Sequence, residues 1–378
     1  MVIRECFRCF YHIYNSRLGR WLHNCMTRNR HYRRIRSHQS LDHSYTDSPV
    51  FDMEEVRVKV VPLAKTNYSY IIQDKASLQV AVVDPGDGYY LSQLAEKEFH
   101  QDVSAILVTH KHWDHSAGMA ELLSHYPQAK SYAFHSEKIC DITTRVKDGD
   151  SISLGGVSVR VVHTPGHTEG SVCFFIRPTK GPPLLFTGDT LFLGGMGAFF
   201  EGTAVTIMMT IEKLLSLPED TLVFPGHEYS ETTLKFALLM EPRNPELQAK
   251  AAWVEIRRRK FYCTVPSTLS EERSYNPFLR IRSPAIQTVT STATPMRALI
   301  ALQNYRIAKR SEYKNITLVR PESTPANNHS LAYLSTINGR KWAAARLCTL
   351  HLLRPRLKRR PYVCAKVHWG TASTPPRR

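Results

Sequence analysis

The 378-residue chain predicts a mixed α/β fold. Short apolar runs of strand length recur along its middle, stretches of helical period separate several of them, and four of the runs end on histidine or aspartate. A chain this long can hold one large domain or two ordinary ones.

In order, residues 56–62 and 68–72 alternate or run apolar and 79–83 follows, with Asp84-Pro85-Gly86 closing this opening meander. Residues 89–98 read as a helix and 105–108 as a buried strand. Helical period resumes at 118–124. Strands are then expected at 131–134, 151–154, 157–162, 171–176, 184–186 and 222–224, with a helix over 204–215 between the last two. A further helix spans 249–260 and places Arg257, Arg258 and Arg259 at an end expected to face solvent.

The strand at 105–108 runs into Thr109-His110-Lys111-His112-Trp113-Asp114-His115. Side chains two apart in an extended segment share a side, so His110 and His112 can face one cation together. Asp114 and His115, beyond Trp113, can turn toward a second cation about 3.5–4 Å away. A histidine-rich surface loop is the bland alternative, and the later strand ends argue against it. Val162-His163-Thr164-Pro165-Gly166-His167, Phe186-Thr187-Gly188-Asp189 and Phe224-Pro225-Gly226-His227 each pair an apolar run with a Gly or Pro break and one ligand-type residue. Seven such groups would converge at one sheet edge. Asp84, at another strand end, is expected either to orient a ligand histidine from behind or to form an Asx turn. His125, His135 and His163 are read as surface or strand-end residues.

This pattern resembles the metallo-β-lactamase superfamily, and within it the glyoxalase II (hydroxyacylglutathione hydrolase) group. Thr-His-Lys-His-Trp-Asp-His, Thr164-Pro165-Gly166-His167-Thr168, Phe200-Glu201-Gly202-Thr203 and Pro225-Gly226-His227-Glu228-Tyr229 carry the likeness, which covers roughly 56–280. The resemblance implies an αββα sandwich. It also implies one metal on His110, His112 and His167, a second on Asp114, His115 and His227, and Asp189 bridging them. The ions would be two Zn²⁺, with iron the alternative, and a bridging hydroxide would attack the carbonyl of a small-molecule acyl thioester, with Asp114 the catalytic residue. Tyr229 matches a glutathione-contacting tyrosine. A basic residue and a second tyrosine of that group are replaced here by Ala198 and Phe200, which leaves Phe200 only its backbone for substrate. The group's C-terminal cations have no counterpart beyond the faint echo Met296-Arg297-Ala298. Two other readings share the resemblance: a mononuclear iron sulfur dioxygenase, and a non-catalytic mitochondrial or membrane scaffold.

The formal charge of +17 is unevenly placed. Residues 1–41 hold nine arginines against Glu5, and from 281 onward eighteen Lys or Arg face only Glu312 and Glu322, so residues 42–280 are mildly acidic. The positive field therefore concerns partners of the ends, and nucleic acid is not expected at the active site. Scattered cysteines suit a reducing compartment, and Cys140, Cys173 and Cys263 are expected to pack as small hydrophobes. Ile3, Phe7, Phe10, Tyr14, Leu18 and Trp21 share a helical face in the arginine-rich start, which reads as a mitochondrial transit segment or a membrane-surface helix, with a cytoplasmic chain the alternative. The expected organisation is a basic segment over 1–50, the catalytic domain over 51–242, its helical part over 243–280, and a basic low-order tail over 281–378. Short helices at 296–310 and 341–353 are the exceptions expected within that tail.

Overall fold

The computed structural model describes residues 46–314. The expected N-terminal segment up to residue 45 and the tail from 315 onward lie outside the described residues.

The first sheet has seven strands in sequential order: β1 (Val50–Asp52), β2 (Val56–Leu63), β3 (Asn67–Asp74), β4 (Val80–Val83), β5 (Val103–Leu107), β6 (Lys130–Phe134) and β7 (Thr144–Val146). It opens as an antiparallel meander, and from β4 to β7 neighbouring strands run parallel. Helices Gly88–Leu94, which continues as the π-turn Ala95–Phe99, and Met119–His125 lie between the parallel strands in sequence. Asp87 starts the first of these helices by accepting a hydrogen bond from the Tyr90 amide.

The second sheet contains β8 (Ser151–Leu154), β9 (Val157–His163), β10 (Val172–Ile176), β11 (Leu184–Gly188), β14 (Leu222–Pro225) and β15 (Ser267–Thr268), in the order β15-β14-β11-β10-β9-β8. β12 (Leu191–Phe192) and β13 (Gly195–Met196) form a small hairpin apart from it. β8 alternates exposed and buried residues, as suits a sheet edge, whereas β10, β11 and β14 are buried throughout.

Three apolar clusters define the layers. Val58, Val60, Ile72 and Leu107 from the first sheet meet Val159, Phe174, Phe186 and Phe224 from the second. Ile71, Val82 and Ile106 on the other side of the first sheet pack with Leu91, Met119 and Leu122 of its helices. Val162, Cys173, Leu185 and Val223 pack outward against helices Ala204–Leu215 and Ser230–Met240 and against the C-terminal helices. Strand side chains alternate in direction, so each sheet is apolar on both faces, and the outcome is the αββα sandwich.

The structure corrects the low-order reading of the tail for residues 281–314. The helix expected over 296–310 is present as Pro295–Ala308, and Pro284–Val289 and Arg310–Lys314 flank it. Thr294 caps the longest of these through the Arg297 amide with Pro295 in its first turn, and it buries Ala298, Leu299 and Leu302 completely. The rich supply of Ser, Thr and Pro that suggested disorder is partly a set of caps. Helix Pro245–Arg259 begins earlier than expected because Asn244 caps it ahead of Pro245. Its arginines are not simply solvated: Arg257 donates to the Cys263 carbonyl and Arg258 to Thr46 Oγ1, while Arg259 is exposed. Cys173 and Cys263 are buried as expected, but Cys140 is exposed.

Leu299→Ala and Leu302→Ala should each destabilise the protein by about 2–5 kcal/mol in urea unfolding, since each empties a fully buried site. An unpacked tail would give a change below about 0.5 kcal/mol.

Candidate metal centre

All seven ligand-type residues lie where strands of the two sheets end at a shared edge. His110, His112, Asp114 and His115 follow β5, His167 follows β9, Asp189 follows β11 and His227 follows β14. Backbone hydrogen bonds hold the edge closed: Val172 donates to the Thr109 carbonyl at 3.0 Å, Tyr68 to Gly226 at 2.8 Å and Glu228 to Thr66 at 2.7 Å. Gly226 is needed for this approach, because a Cβ there would lie 2.6 Å from the His115 ring and 2.9 Å from Asp189 Oδ1.

Two groups of three emerge, His110/His112/His167 and Asp114/His115/His227, each with its ligand atoms within 4.8 Å of one another. In the first, the Nε2 atoms of His110 and His167 both lie 2.9 Å from His112 Nδ1. A single ring nitrogen offers one proton or one lone pair, so it cannot satisfy both neighbours by hydrogen bonding. A shared cation can, since nitrogens about 2.0–2.1 Å from one tetrahedral ion lie about 3.3 Å apart and these need to spread only slightly to reach that spacing. In the second group, His115 Nε2 and His227 Nε2 are 3.2 Å apart, and Asp114 Oδ2 lies 3.7 and 3.5 Å from them.

Asp189 stands between the groups. Its Oδ2 is 3.4 Å from His167 Nε2, while Oδ1 is 3.4 Å from His115 Nε2 and 3.3 Å from His227 Nε2. Oδ1 is buried. A buried carboxylate placed among five imidazoles and a second carboxylate needs positive charge beside it, and the donor set fits divalent ions in that place.

Backing groups fix which ring nitrogen faces inward. Asp84 accepts from the Thr109 amide at 2.7 Å, from Thr109 Oγ1 at 2.8 Å and from His115 Nδ1 at 3.0 Å. Thr109 Oγ1, having donated to Asp84, accepts from His110 Nδ1 at 3.0 Å. One carboxylate is thereby linked to two imidazoles whose Nε2 atoms turn inward, the arrangement expected of an orienting Asp84. Asp84 also lies near His110 and His115 as a third ligand-like group. Its bonds to Thr109 and to the outer nitrogen of His115 make it a support rather than another metal position. His167 Nδ1 is satisfied by the Ala198 carbonyl at 2.9 Å.

The electrostatics divide the histidines. Burial, then repulsion among neighbouring imidazoles, holds His110 well below its ordinary value and takes His112 down to about 3, leaving neutral ligand nitrogens. Burial opposes charge on His115 too, but Asp114 and Asp189 outweigh it and raise its pKa well above the ordinary value. Burial alone would raise Asp189, yet His227 and His115 hold it well below the carboxylate range.

The residues expected near substrate are also here. Tyr229 stacks on His227 with centroids 4.5 Å apart, and burial pushes its hydroxyl up to about 12. Phe200 packs 6.0 Å from His112 and 5.1 Å from His167. Three contributors escaped the sequence reading. Asn67 donates to Asp114 Oδ2 at 2.9 Å, Thr66 lies 3.4 Å from His227 Nδ1, and the Ala198 carbonyl meets His167. Thr66 and Asn67 sit where β2 turns into β3, and their only sequence signal was turn-forming composition.

Residues 64–135 and 139–227 match the metallo-beta-lactamase superfamily, and residues 228–307 match the hydroxyacylglutathione hydrolase C-terminus. A cytoplasmic hydroxyacylglutathione hydrolase of Arabidopsis thaliana is 39% identical over 248 residues, 65% of this chain and 95% of that protein. A hydroxyacylglutathione hydrolase-like protein of Gallus gallus is 38% identical over 283 residues, 74% of this chain and 96% of its own length. Another from Mus musculus is 37% identical, covering 65% and 88%. The similarity therefore runs on past Arg280, as the packed C-terminal helices do.

Asp84→Asn should weaken metal binding about 10–100-fold in chelator competition without unfolding the protein, because an amide nitrogen facing His115 Nδ1 would favour the wrong tautomer. Unchanged affinity would remove Asp84 from this role.

Proposed function

The chain belongs to the hydroxyacylglutathione hydrolase family of the metallo-β-lactamase superfamily, and from that premise we propose that it hydrolyses an acyl thioester at a binuclear metal centre. Its class, a metal-dependent hydrolase, follows from membership. The observation that carries the finer reading is Asp189, which faces both groups of three: Oδ1 lies 3.4 and 3.3 Å from His115 and His227, and Oδ2 lies 3.4 Å from His167. Both groups are equally complete, which supports two ions over the one that a mononuclear dioxygenase would use.

His110, His112 and His167 would hold one divalent ion, Asp114, His115 and His227 the other, and Asp189 both; zinc suits this nitrogen-rich set. Bound there, such ions lower the pKa of a water molecule toward neutrality and polarise a carbonyl. The chain's own groups supply position and proton handling. Asp114, fixed by Asn67, turns one oxygen toward both His115 and His227, and is placed to orient the attacking water and take its proton. Phe200 covers the histidine group and limits access of bulk water on that side. Tyr229 keeps its phenolic proton and can donate it to a substrate oxygen. A thiolate leaves without protonation, so the site needs no separate general acid.

The carrier thiol is constrained by what the site lacks. Ala198 and Phe200 stand where glyoxalase II offers a basic residue and a tyrosine, and each charge-assisted hydrogen bond lost removes about 1.5–3 kcal/mol. The preferred substrate is therefore an acyl thioester whose binding relies less on a glutathione-like carrier than that of its relatives.

Asp114→Asn should stay folded and lose at least about 100-fold in kcat on acyl thioesters; a turnover near wild type would contradict the assignment. Ala198→Lys combined with Phe200→Tyr should raise kcat/KM on S-acylglutathiones about 10-fold or more and leave simple acyl thioesters little changed. No gain on the glutathione thioester would place its recognition elsewhere.

A further inference from the structure

From the last residue of β13 onward, the chain presents three consecutive carbonyls to side chains from elsewhere in the sequence. Those of Met196 and Gly197 accept from the Arg306 guanidinium, the second at 3.0 Å. The next, Ala198, accepts from His167 Nδ1. The segment also lies hard against the site, since a Cβ on Gly197 would overlap the Asp189 carbonyl oxygen and fall 3.2 Å from His167 Nδ1. Farther along, Glu201 accepts from Lys111 at 2.7 Å and from the Glu169 amide at 2.7 Å. Residues 196–201 are therefore tied at both ends, with Phe200 against His112 and His167 between the ties.

Arg306 comes from helix Pro295–Ala308, whose packing needs no charge at this point. Its guanidinium lies between the rings of Phe199 and Phe278, 5.4 and 5.2 Å from their centroids, and donates also to Gln303 at 2.5 Å. Among the described residues it forms no ion pair, and burial draws its pKa down to about 10, which still leaves it charged at neutral pH. A desolvated cation without a carboxylate is costly, and an apolar side chain would fill the same space. What a guanidinium adds is a planar fork that can hold two neighbouring carbonyls at once, which an ammonium cannot do with the same geometry.

We infer that Arg306 is a positioning residue for the His110/His112/His167 group: by fixing the Met196 and Gly197 carbonyls it fixes that of Ala198, which holds the His167 ring with Nε2 facing His112. The inference rests on the metal centre proposed above but not on its substrate. The other group is backed by Asp84, Thr66 and Asn67, none of them in this segment. Loss of the fork should therefore weaken one metal position and spare the other.

The test uses the full chain, stripped by chelator and titrated with Co²⁺ or Zn²⁺ in competition with an indicator. Arg306→Met keeps the apolar contact and removes the fork; one of two binding steps should weaken about 10–100-fold while the other stays within about two-fold. Arg306→Lys should restore that step only in part. Imidazole ¹⁵N spectra of the metal-free protein should show His167 losing its Nδ1–H tautomer in the methionine variant. Both steps and the His167 signal unchanged in folded Arg306→Met would overturn the inference, as would equal weakening of both steps, which is what general loosening gives. If the methionine variant does not fold, the lysine variant carries the same test, because it too lacks the fork. A wild-type chain that binds metal yet cleaves no thioester would sink the proposed activity and leave this inference standing.

Discussion

Asp189 is buried just beyond β11 with its carboxylate facing imidazoles of both groups, Oδ1 toward His115 and His227 and Oδ2 toward His167, and the surrounding site answers that charge. In the field of the protein's own charges, the balance comes from His115, whose pKa is raised by Asp114 and Asp189. Divalent ions would replace that proton with stronger charge and release it, so metal occupancy and protonation compete for the same carboxylates. In the proposed reading, the need for charge at Asp189 ties the two groups of three into one centre.

Such a centre requires side chains from both sheets to stay in register at one edge. The central strands are apolar on both faces, so the polar ligands can stand only where strands stop. Parallel pairing of β4 with β5 sets Asp84 beside Thr109, and parallel pairing of β11 with β14 sets Gly188 beside Pro225, just ahead of Asp189 and His227. The backbone bonds between Thr109 and Val172 and between Tyr68 and Gly226 then join one sheet to the other. Asp84 is bonded to His115 directly and to His110 through Thr109, so one carboxylate backs a histidine in each group.

Much of this was legible in the sequence because strand-end ligands announce themselves: an apolar run, a Gly or Pro break and a histidine or aspartate is a local pattern. All seven strand-end residues meet, and Asp84, Phe200 and Tyr229 lie against them. What was not legible depends on partners distant in the chain. Nothing near Ala198 says that its carbonyl will meet His167, since that contact is made by backbone. Thr66, in the turn before β3, and Asn67, the first residue of that strand, lie across from His227, a pairing made between distant parts of the chain. Past Arg280 the polar, basic composition reads as low order apart from a helix at 296–310, and that helix is present as Pro295–Ala308; the packing of Ile286, Leu299 and Leu302 depends on a surface that the sequence could not display. Cys140 was misjudged because an apolar neighbourhood in sequence says little about the side chain's direction at a loop.

The central claim is that Asp189 joins two metal positions into a single centre. Its most direct test is the metal stoichiometry of the stripped full-length chain, followed through the visible absorption of Co²⁺ during titration, beside that of Asp189→Ala. The account predicts saturation at two equivalents in the wild type, and in the variant weaker binding with no interaction between the steps. Saturation at one equivalent, or a variant that binds two as tightly as the wild type, would contradict it.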